Sequence, residues 1–199
     1  MSLRDDPSEL PPPSTTEAVI LDAALQVIGE RGLKGATTRL IAQRAGVNEV
    51  TVFRKFGTKN LLIRAAIESR FEAASQEFAL YTGDVEADLA RLASGYQAAL
   101  QRFGPAARVI LAEVPHDPEL SRDLRGPGQL FAAIGELLVR YQQVGVLRPE
   151  AVETLVPAFL GPIVIPFLTG FSADTRGRGA TGVDVEQHVS RFLHGRAAQ

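Results

Sequence analysis

Residues 37–62 read TTRLIAQRAGVNEVTVFRKFGTKNLL, and this stretch decides the fold. A short helix is predicted over residues 38–45, with Thr37 as its N-cap. Gly46 follows where the chain must turn with a positive φ, a conformation that glycine adopts without steric cost. Asn48 is a good N-cap for a second helix. The pattern therefore predicts two short helices joined by a tight turn.

The apolar side chains of this stretch divide each predicted helix into an inward and an outward face. In the first helix Leu40, Ile41 and Ala45 are predicted to face inward. In the second helix Val52 and Phe56, which are four residues apart, are predicted to do the same. The outward face of the second helix then carries five side chains: Glu49, Val50, Thr51, Arg54 and Lys55.

The second helix is predicted to end at Gly57, and Thr58 is predicted to cap a third helix. A helix of about two turns buries too little surface to be explained by packing alone. The chain has only three lysines, and all lie in or beside this stretch: Lys34, Lys55 and Lys59. Helix-turn-helix units place their second helix in the major groove of DNA. We therefore expect DNA binding rather than a purely structural bundle.

The expected DNA contacts divide between phosphates, which position the protein, and base edges, which specify the sequence. The candidates for phosphate contacts are Thr37, Thr38, Arg39 and Lys59. The candidates for base edges are Asn48, Glu49, Val50 and Thr51, with Arg54 and Lys55 suited to either role. For Thr37 and Asn48, capping alone is the alternative.

Residues 16–67 contain AVILDAALQVIGERG, GATTRLIAQRAGV and NEVTVFRKFGTKNLLIRAAI. This pattern resembles the N-terminal domain of the TetR family of bacterial transcriptional regulators. The resemblance implies an all-α fold, with an N-terminal three-helix DNA-binding domain followed by a larger C-terminal helical bundle for ligand binding and dimerisation. Phe53 stands where that family usually has Tyr, whose hydroxyl commonly reaches a phosphate. Phe53 can pack there, but it cannot donate that hydrogen bond.

Composition predicts one sizeable core with a small appended domain. The chain has 199 residues, of which 45% are hydrophobic, and no cysteine, which excludes disulfides and thiol chemistry. We expect a disordered acidic tail over residues 1–13, the DNA-binding domain over 14–60 and the C-terminal domain over 61–199. The tail lacks the apolar segment of a signal peptide, so a cytoplasmic protein is expected.

Charge is unevenly distributed along the chain. Residues 14–60 carry seven basic and four acidic side chains, whereas residues 61–199 carry 13 basic and 16 acidic ones. The net charges of these two regions are therefore +3 and −3, within a total of −2. The positive charge is concentrated where DNA phosphates would be met, which supports the predicted DNA-binding role.

The C-terminal region has apolar side chains at helical spacing, and none of its segments shows the alternation of a strand. A long helix over residues 61–81 is predicted to connect the DNA-binding domain to the rest. Gly104-Pro105 is predicted to break the next helix. Gly126-Pro127-Gly128 is predicted to precede a helix over 129–144, and a last helix is predicted over 183–193.

Residues 154–173, TLVPAFLGPIVIPFLTGFSA, carry no charge. The length would suit a membrane-spanning helix, but three prolines, two glycines and the acidic flanks Glu153 and Asp174 argue against one. Burial against the chain's own core and a second subunit is the preferred interpretation. The family resemblance likewise implies a homodimer formed by the last two helices. The loop over 174–182 is glycine-rich and expected to be mobile.

The family resemblance also implies a ligand pocket inside the C-terminal bundle. Ligand binding there would tilt the connecting helix, separate the two recognition helices and release DNA. The candidate lining residues are all apolar and favour an apolar small-molecule effector: Phe103, Ile110, Phe131, Ile134, Phe159, Ile163 and Phe167. Ordinary core packing is the alternative for each of them.

We therefore expect a ligand-responsive repressor that binds a palindromic operator in double-stranded DNA as a homodimer. No motif of a hydrolase, metalloprotease or nucleotide-binding enzyme occurs, and His116, His188 and His194 are scattered, so no enzyme, metal or cofactor is expected. Two alternatives remain: a DNA-binding protein without a small-molecule switch, and a helical small-molecule-binding protein with weakened DNA binding. A gel shift separates the last from the others, and a thermal-shift screen of apolar compounds separates the first two.

Overall fold

The computed structural model describes residues 15–122, 124–169 and 182–196, and every regular element there is a helix, as predicted. The helices are α1 (Thr15–Gly35), α2 (Thr38–Ala45), α3 (Glu49–Phe56), α4 (Lys59–Phe78), α5 (Val85–Glu113), α6 (Pro118–Ser121), α7 (Gly126–Gln143), α8 (Val152–Thr169) and α9 (Val185–Arg196). A 3₁₀ turn joins α5 to α6. The expected tail over residues 1–13 and the loop over 174–181 lie outside the described residues.

A first hydrophobic core gathers α1 to α4 and also the second half of α5 with α6. Its fully buried members from the N-terminal helices include Ile20, Ile28, Ile41, Leu62 and Ile63. The later helices add Ala106, Val114 and Leu120 to the same core. Packing therefore continues across residue 60, where the domain boundary was predicted, and the boundary itself stays a prediction.

The predicted break at Gly104-Pro105 was wrong, because α5 runs through both residues without interruption. Pro105 deprives α5 of one backbone hydrogen bond. Close packing on both sides holds the helix together at this point. A Cβ atom on Gly29 of α1 would lie 2.8 Å from the backbone nitrogen of Ala106, and one on Gly104 would lie 2.6 Å from the Phe167 ring. Tertiary contacts thus offset the local effect of proline.

Helix α7 begins at Gly126, three residues before the predicted start at 129. Pro127 is tolerated because the first N–H groups of a helix have no partner within it. A Cβ atom on Gly126 would lie 2.8 Å from the Cβ of Phe71, so α7 starts in close contact with α4. The last helix spans 185–196 rather than 183–193, and the Asp184 carboxylate caps it.

A second hydrophobic core joins α5, α7, α8 and α9. Ile134, Leu138, Tyr141 and Phe159 are fully buried there. Helix α4 contributes Phe78 to this core, while its first half belongs to the first core. Helix α4 therefore contacts both cores, as α5 also does, and this agrees with the connecting role predicted for α4.

Helix α8 is long and apolar enough to cross a membrane by length and composition, with a mean hydropathy of 1.7 over 18 residues. One face of the helix is packed in the second core through Leu155, Val156 and Phe159. On the other side Ile165 is 60% exposed, and Leu168 is also exposed. Among the described residues, α8 is thus a core helix with an exposed apolar stripe.

A buried polar cluster joins the loop before α5 to α7. The Asp88 carboxylate is fully buried and accepts hydrogen bonds from the Thr82 backbone N–H at 2.7 Å, the Thr82 hydroxyl at 2.6 Å and the Tyr141 hydroxyl at 2.5 Å. Arg91 donates a further bond at 2.5 Å. Burial would raise the pKa of Asp88, but these hydrogen bonds outweigh it and hold the pKa at about 2. The charged form of Asp88 therefore stabilises the fold.

The Asp88 cluster predicts an acid-sensitive contribution to stability. The pKa of Asp88 is depressed from an ordinary 3.8 to about 2, so its contribution is complete above the ordinary value and is lost as pH falls towards the folded value. Between about pH 5 and pH 2, the free energy of unfolding of the wild type should fall by about 2 kcal/mol more than that of Asp88→Asn. Urea denaturation followed by circular dichroism measures this difference.

Asp84→Asn is the matched control, because asparagine also caps α5 and the Asp88 cluster is untouched. It should retain the pH dependence of the wild type. The same pH dependence in Asp88→Asn as in the wild type would contradict the role assigned to the carboxylate.

Candidate nucleic-acid interface

The local signals that predicted α2 and α3 are all present in the structure. The Thr37 hydroxyl oxygen accepts a hydrogen bond from the Leu40 N–H at 3.2 Å, which caps α2. Gly46 ends α2 with a φ of 68°. The Asn48 side-chain oxygen accepts a hydrogen bond from the Val50 N–H at 2.9 Å, which caps α3. Both helices have the predicted bounds.

One inward-facing assignment was wrong. Leu40 is exposed, and the inward face of α2 is formed by Ile41 and Ala42, with Ala45 half-buried beside them. Leu40 and Ile41 are about 100° apart around the helix axis, and a two-turn helix buries only a narrow strip against its neighbour. The contact side of such a short helix depends on where that neighbour lies.

Helix α3 is anchored by two side chains, as predicted. Val52 is fully buried and Phe56 is partly buried in the first core. The opposite side of α3 is open, and its side chains there are exposed: Val50, Phe53, Arg54 and Lys55. Glu49 and Thr51 are half-buried at the edge of this side. The structure therefore brings most of the predicted base-reading residues onto one accessible surface.

Two of the predicted DNA-binding residues bind each other. The Thr38 hydroxyl donates a hydrogen bond to the Glu49 carboxylate at 2.7 Å, which links the first turn of α2 to the first turn of α3. This bond helps to set the angle between the two helices. Spacing along the chain places both residues at helix starts, but it does not reveal the contact.

Lys59 has partners at the end of α1. Its ammonium group donates hydrogen bonds to the backbone oxygens of Leu33 at 2.6 Å and Lys34 at 3.3 Å. The Leu33 N–H in turn donates to the Glu113 carboxylate of α5 at 3.1 Å. We call these contacts of Leu33 with Lys59 and Glu113 the Leu33 clamp. It joins α1, α4 and α5.

The remaining basic side chains around α3 differ in how they are held. Arg39 and Arg54 are exposed, and neither forms a hydrogen bond or an ion pair with another described residue. The Lys55 ammonium lies 3.9 Å from the Glu17 carboxylate. Arg44 is bound to Glu30 of α1 at 2.7 Å. Arg39 and Arg54 therefore have their full hydrogen-bonding capacity available for phosphates or bases.

Sequence patterns missed Glu113, the acidic member of the Leu33 clamp. Glu113 and Leu33 are 80 residues apart, and no local motif connects them. The sequence left open whether Phe53 packs, and the structure leaves it 49% exposed on the open side of α3. Only the packing of α1 against α5 and the orientation of α3 reveal these two features.

The seven candidate pocket residues lie in different surroundings. Phe103 and Ile110 are partly buried beside the first core, whereas Ile134, Phe159 and Ile163 are buried together in the second core. Phe131 is exposed, and Phe167 lies under the guanidinium of Arg108 at 4.6 Å. Only the three residues of the second core form one group, and their role as a pocket stays a prediction.

The three histidines do not form a metal-binding group. His188 is buried with its ring 4.9 Å from that of Phe159, and burial lowers its pKa. The His194 ring nitrogen lies 2.7 Å from the Ser190 backbone oxygen on the same helix. Among the described residues there is no group of three or more His, Asp or Glu side chains that could hold a metal ion.

The fold and the open face of α3 define a helical DNA-binding regulator with a helix-turn-helix motif. Residues 20–66 match the family model described as "Bacterial regulatory proteins, tetR family", and residues 81–186 match "Tetracyclin repressor-like, C-terminal domain". The second match alone covers more than half of the chain. The chain belongs to the TetR family of transcriptional regulators.

Individual relatives support this assignment. The chain is 29% identical over 142 residues to YezE of Bacillus subtilis, covering 67% of this chain and 73% of YezE. It is 35% identical over 74 residues to YvkB of the same organism, covering 37% of this chain but only 39% of YvkB. Both are named as HTH-type transcriptional regulators. A solved TetR-family structure from Mesorhizobium loti shares the fold, with a TM-score of 0.67, 20% identity and coverage of 92% of this chain and 97% of that one.

The Leu33 clamp predicts a cost in stability when Lys59 loses its charge. Lys59→Met leaves the backbone oxygens of Leu33 and Lys34 without this donor, which should lower the free energy of unfolding by about 1 kcal/mol. Lys34→Met removes an exposed lysine at the same helix end and should change stability much less. Urea denaturation of both variants tests this, and equal stability of the two would contradict the clamp.

Proposed function

We propose that this chain is a ligand-responsive repressor that binds a palindromic operator as a homodimer and leaves it when a small apolar molecule binds. The observation that carries the proposal is the open face of α3. A helix of two turns is held in place by Val52 and Phe56, and most of its other side chains are exposed to solvent. Arg39 on the neighbouring helix α2 is exposed as well. This arrangement suits insertion into the major groove.

Charge supports the same interface. Arg54 lies on the exposed side of α3, Arg39 lies on α2, and neither has an ionic partner among the described residues. Neutralising phosphates with such side chains releases counterions and drives binding. The two arginines are the strongest candidates for DNA contacts among the predicted residues. Thr37 and Asn48 serve as caps here, which is compatible with an additional DNA contact.

The exposed apolar stripe of α8 supports dimerisation. A single two-turn recognition helix contacts few bases, whereas two copies about one DNA turn apart give useful specificity. Ile165 and Leu168 are three residues apart on one side of α8, and Pro157 continues the exposed stripe towards the start of the helix. Covering this apolar surface with the same surface of a second copy would remove it from water and produce a symmetric dimer.

The path of a ligand signal runs through α4 in this proposal. Helix α4 contributes to both cores, and three polar contacts tie it to its neighbours: to α1 and through it to α5, to α6, and to the start of α7. These are the Leu33 clamp, the Asn60 amide to the Glu119 carboxylate at 2.5 Å and the Arg125 N–H to the Glu68 carboxylate at 2.6 Å. A ligand that prefers a displaced α4 by a few kcal/mol would therefore shift α3 as well.

The proposed interface makes Arg54 a test residue. Arg54→Ala should weaken operator binding by about 1–3 kcal/mol without loss of helicity, because it removes a charged DNA contact from an exposed position. Gel-shift titration on a site selected from random DNA measures the affinity, and circular dichroism measures the helicity. Arg122→Ala is the control, since this exposed arginine follows α6 and belongs to neither helix of the motif. Unchanged affinity in Arg54→Ala would remove Arg54 from the interface.

The proposed dimer makes Ile165 a second test residue. Ile165→Glu places a charge in the middle of the apolar stripe, so it should convert the dimer to a monomer and weaken operator binding at least tenfold, about 1.4 kcal/mol. Sedimentation velocity measures the oligomeric state. Leu80→Glu introduces the same charge at a similarly exposed leucine in the loop after α4, and it should remain dimeric. A monomeric wild type at micromolar concentration would exclude the dimer.

A further inference from the structure

Val50 and Phe53 form an exposed apolar patch on α3. Val50 is 69% exposed, which is the highest value among the exposed large hydrophobic side chains of the described residues, and Phe53 is 49% exposed. The two residues are three apart, so their side chains lie on the same side of the helix. Neither is needed to hold α3, because Val52 and Phe56 anchor it to the first core. The patch is therefore available to a partner.

The polar side chains around the patch are partly engaged within the chain. Thr38 and Glu49 are hydrogen-bonded to each other, and the Asn48 side-chain oxygen caps α3. The Lys59 ammonium is bound in the Leu33 clamp. Few polar groups near the patch are thus left to form hydrogen bonds with base edges, and Thr51, the next residue in the chain, is half-buried. Much of the surface that α3 would turn to the bases is apolar.

The apolar group that natural DNA presents in the major groove is the C5 methyl of thymine. The exposed Arg54 on the same helix complements the phosphates on either side of the groove, so the electrostatic attraction that holds α3 in the groove also holds the patch against the bases. We infer that Val50 is a specificity-determining residue that packs against a thymine methyl in each operator half-site, with Phe53 bordering the contact. This inference rests on the proposed function.

The test uses the full chain and an operator selected from random DNA. Each thymine of the selected half-site is replaced by uracil, which removes the methyl and leaves the base pairing unchanged. For the wild type, one such replacement should weaken binding about fourfold per half-site, and about 15-fold when made in both, as expected for about 0.8 kcal/mol per buried methyl. In Val50→Ala the same replacement should change affinity less than about twofold.

Val144→Ala is the matched control, because it makes the same chemical change at another exposed valine, which follows α7. It should retain the full uracil sensitivity of the wild type. Circular dichroism should show equal helicity in all three proteins, since neither valine is buried.

Two results would overturn the inference while leaving the proposed function intact. One is a wild type that selects a palindrome but responds to none of the uracil replacements. The other is a Val50→Ala variant as sensitive to uracil as the wild type. If random DNA yields no preferred sequence at all, then the proposed function fails, and the inference fails with it.

Discussion

The close contact between α1 and α5 is the constraint on which the rest of the structure depends. Gly29 has no side chain, so the backbone of α1 lies directly against Pro105 and Ala106 of α5. This contact places the end of α1 beside Glu113, whose carboxylate then accepts a hydrogen bond from the Leu33 N–H. A larger residue at position 29 would separate the helices and remove both features. The helix-turn-helix therefore packs on α1, which is itself held against α5 of the C-terminal region.

As a consequence, the N-terminal helices of the DNA-binding region share one hydrophobic core with part of the C-terminal region. Ala106, Val114 and Leu120 pack with the N-terminal helices, and α4 reaches from this core into the second. Because well-packed cores respond to strain as units, the proposed displacement of α4 would be expected to move α3 as well. The predicted boundary at residue 60 therefore does not coincide with a gap in the packing, because the first core contains residues from both sides of it.

Sequence patterns predicted the helix-turn-helix almost completely and the C-terminal region less well. Thr37, Gly46 and Asn48 act within a few residues of their own positions, so their roles are visible without knowledge of the fold. Two predictions were wrong: the break at Gly104-Pro105 and the start of α7 at residue 129. Both rested on the assumption that glycine and proline interrupt a helix wherever they occur. In the structure these residues allow helices to approach closely, and the approach involves partners more than 30 residues away.

The sequence by itself determined the all-α fold, the bounds of α2 and α3 and the basic charge around them, because capping, helical periodicity and composition depend only on near neighbours in the chain. The tertiary structure alone decided that Lys59 is bound at the end of α1, that Thr38 holds Glu49 and that Val50 and Phe53 remain open to solvent. These features depend on how helices far apart in sequence are oriented against one another. For the opening stretch of residues 37–62, the chain therefore specifies a DNA-binding motif, and the packing specifies which of its side chains are available to read DNA.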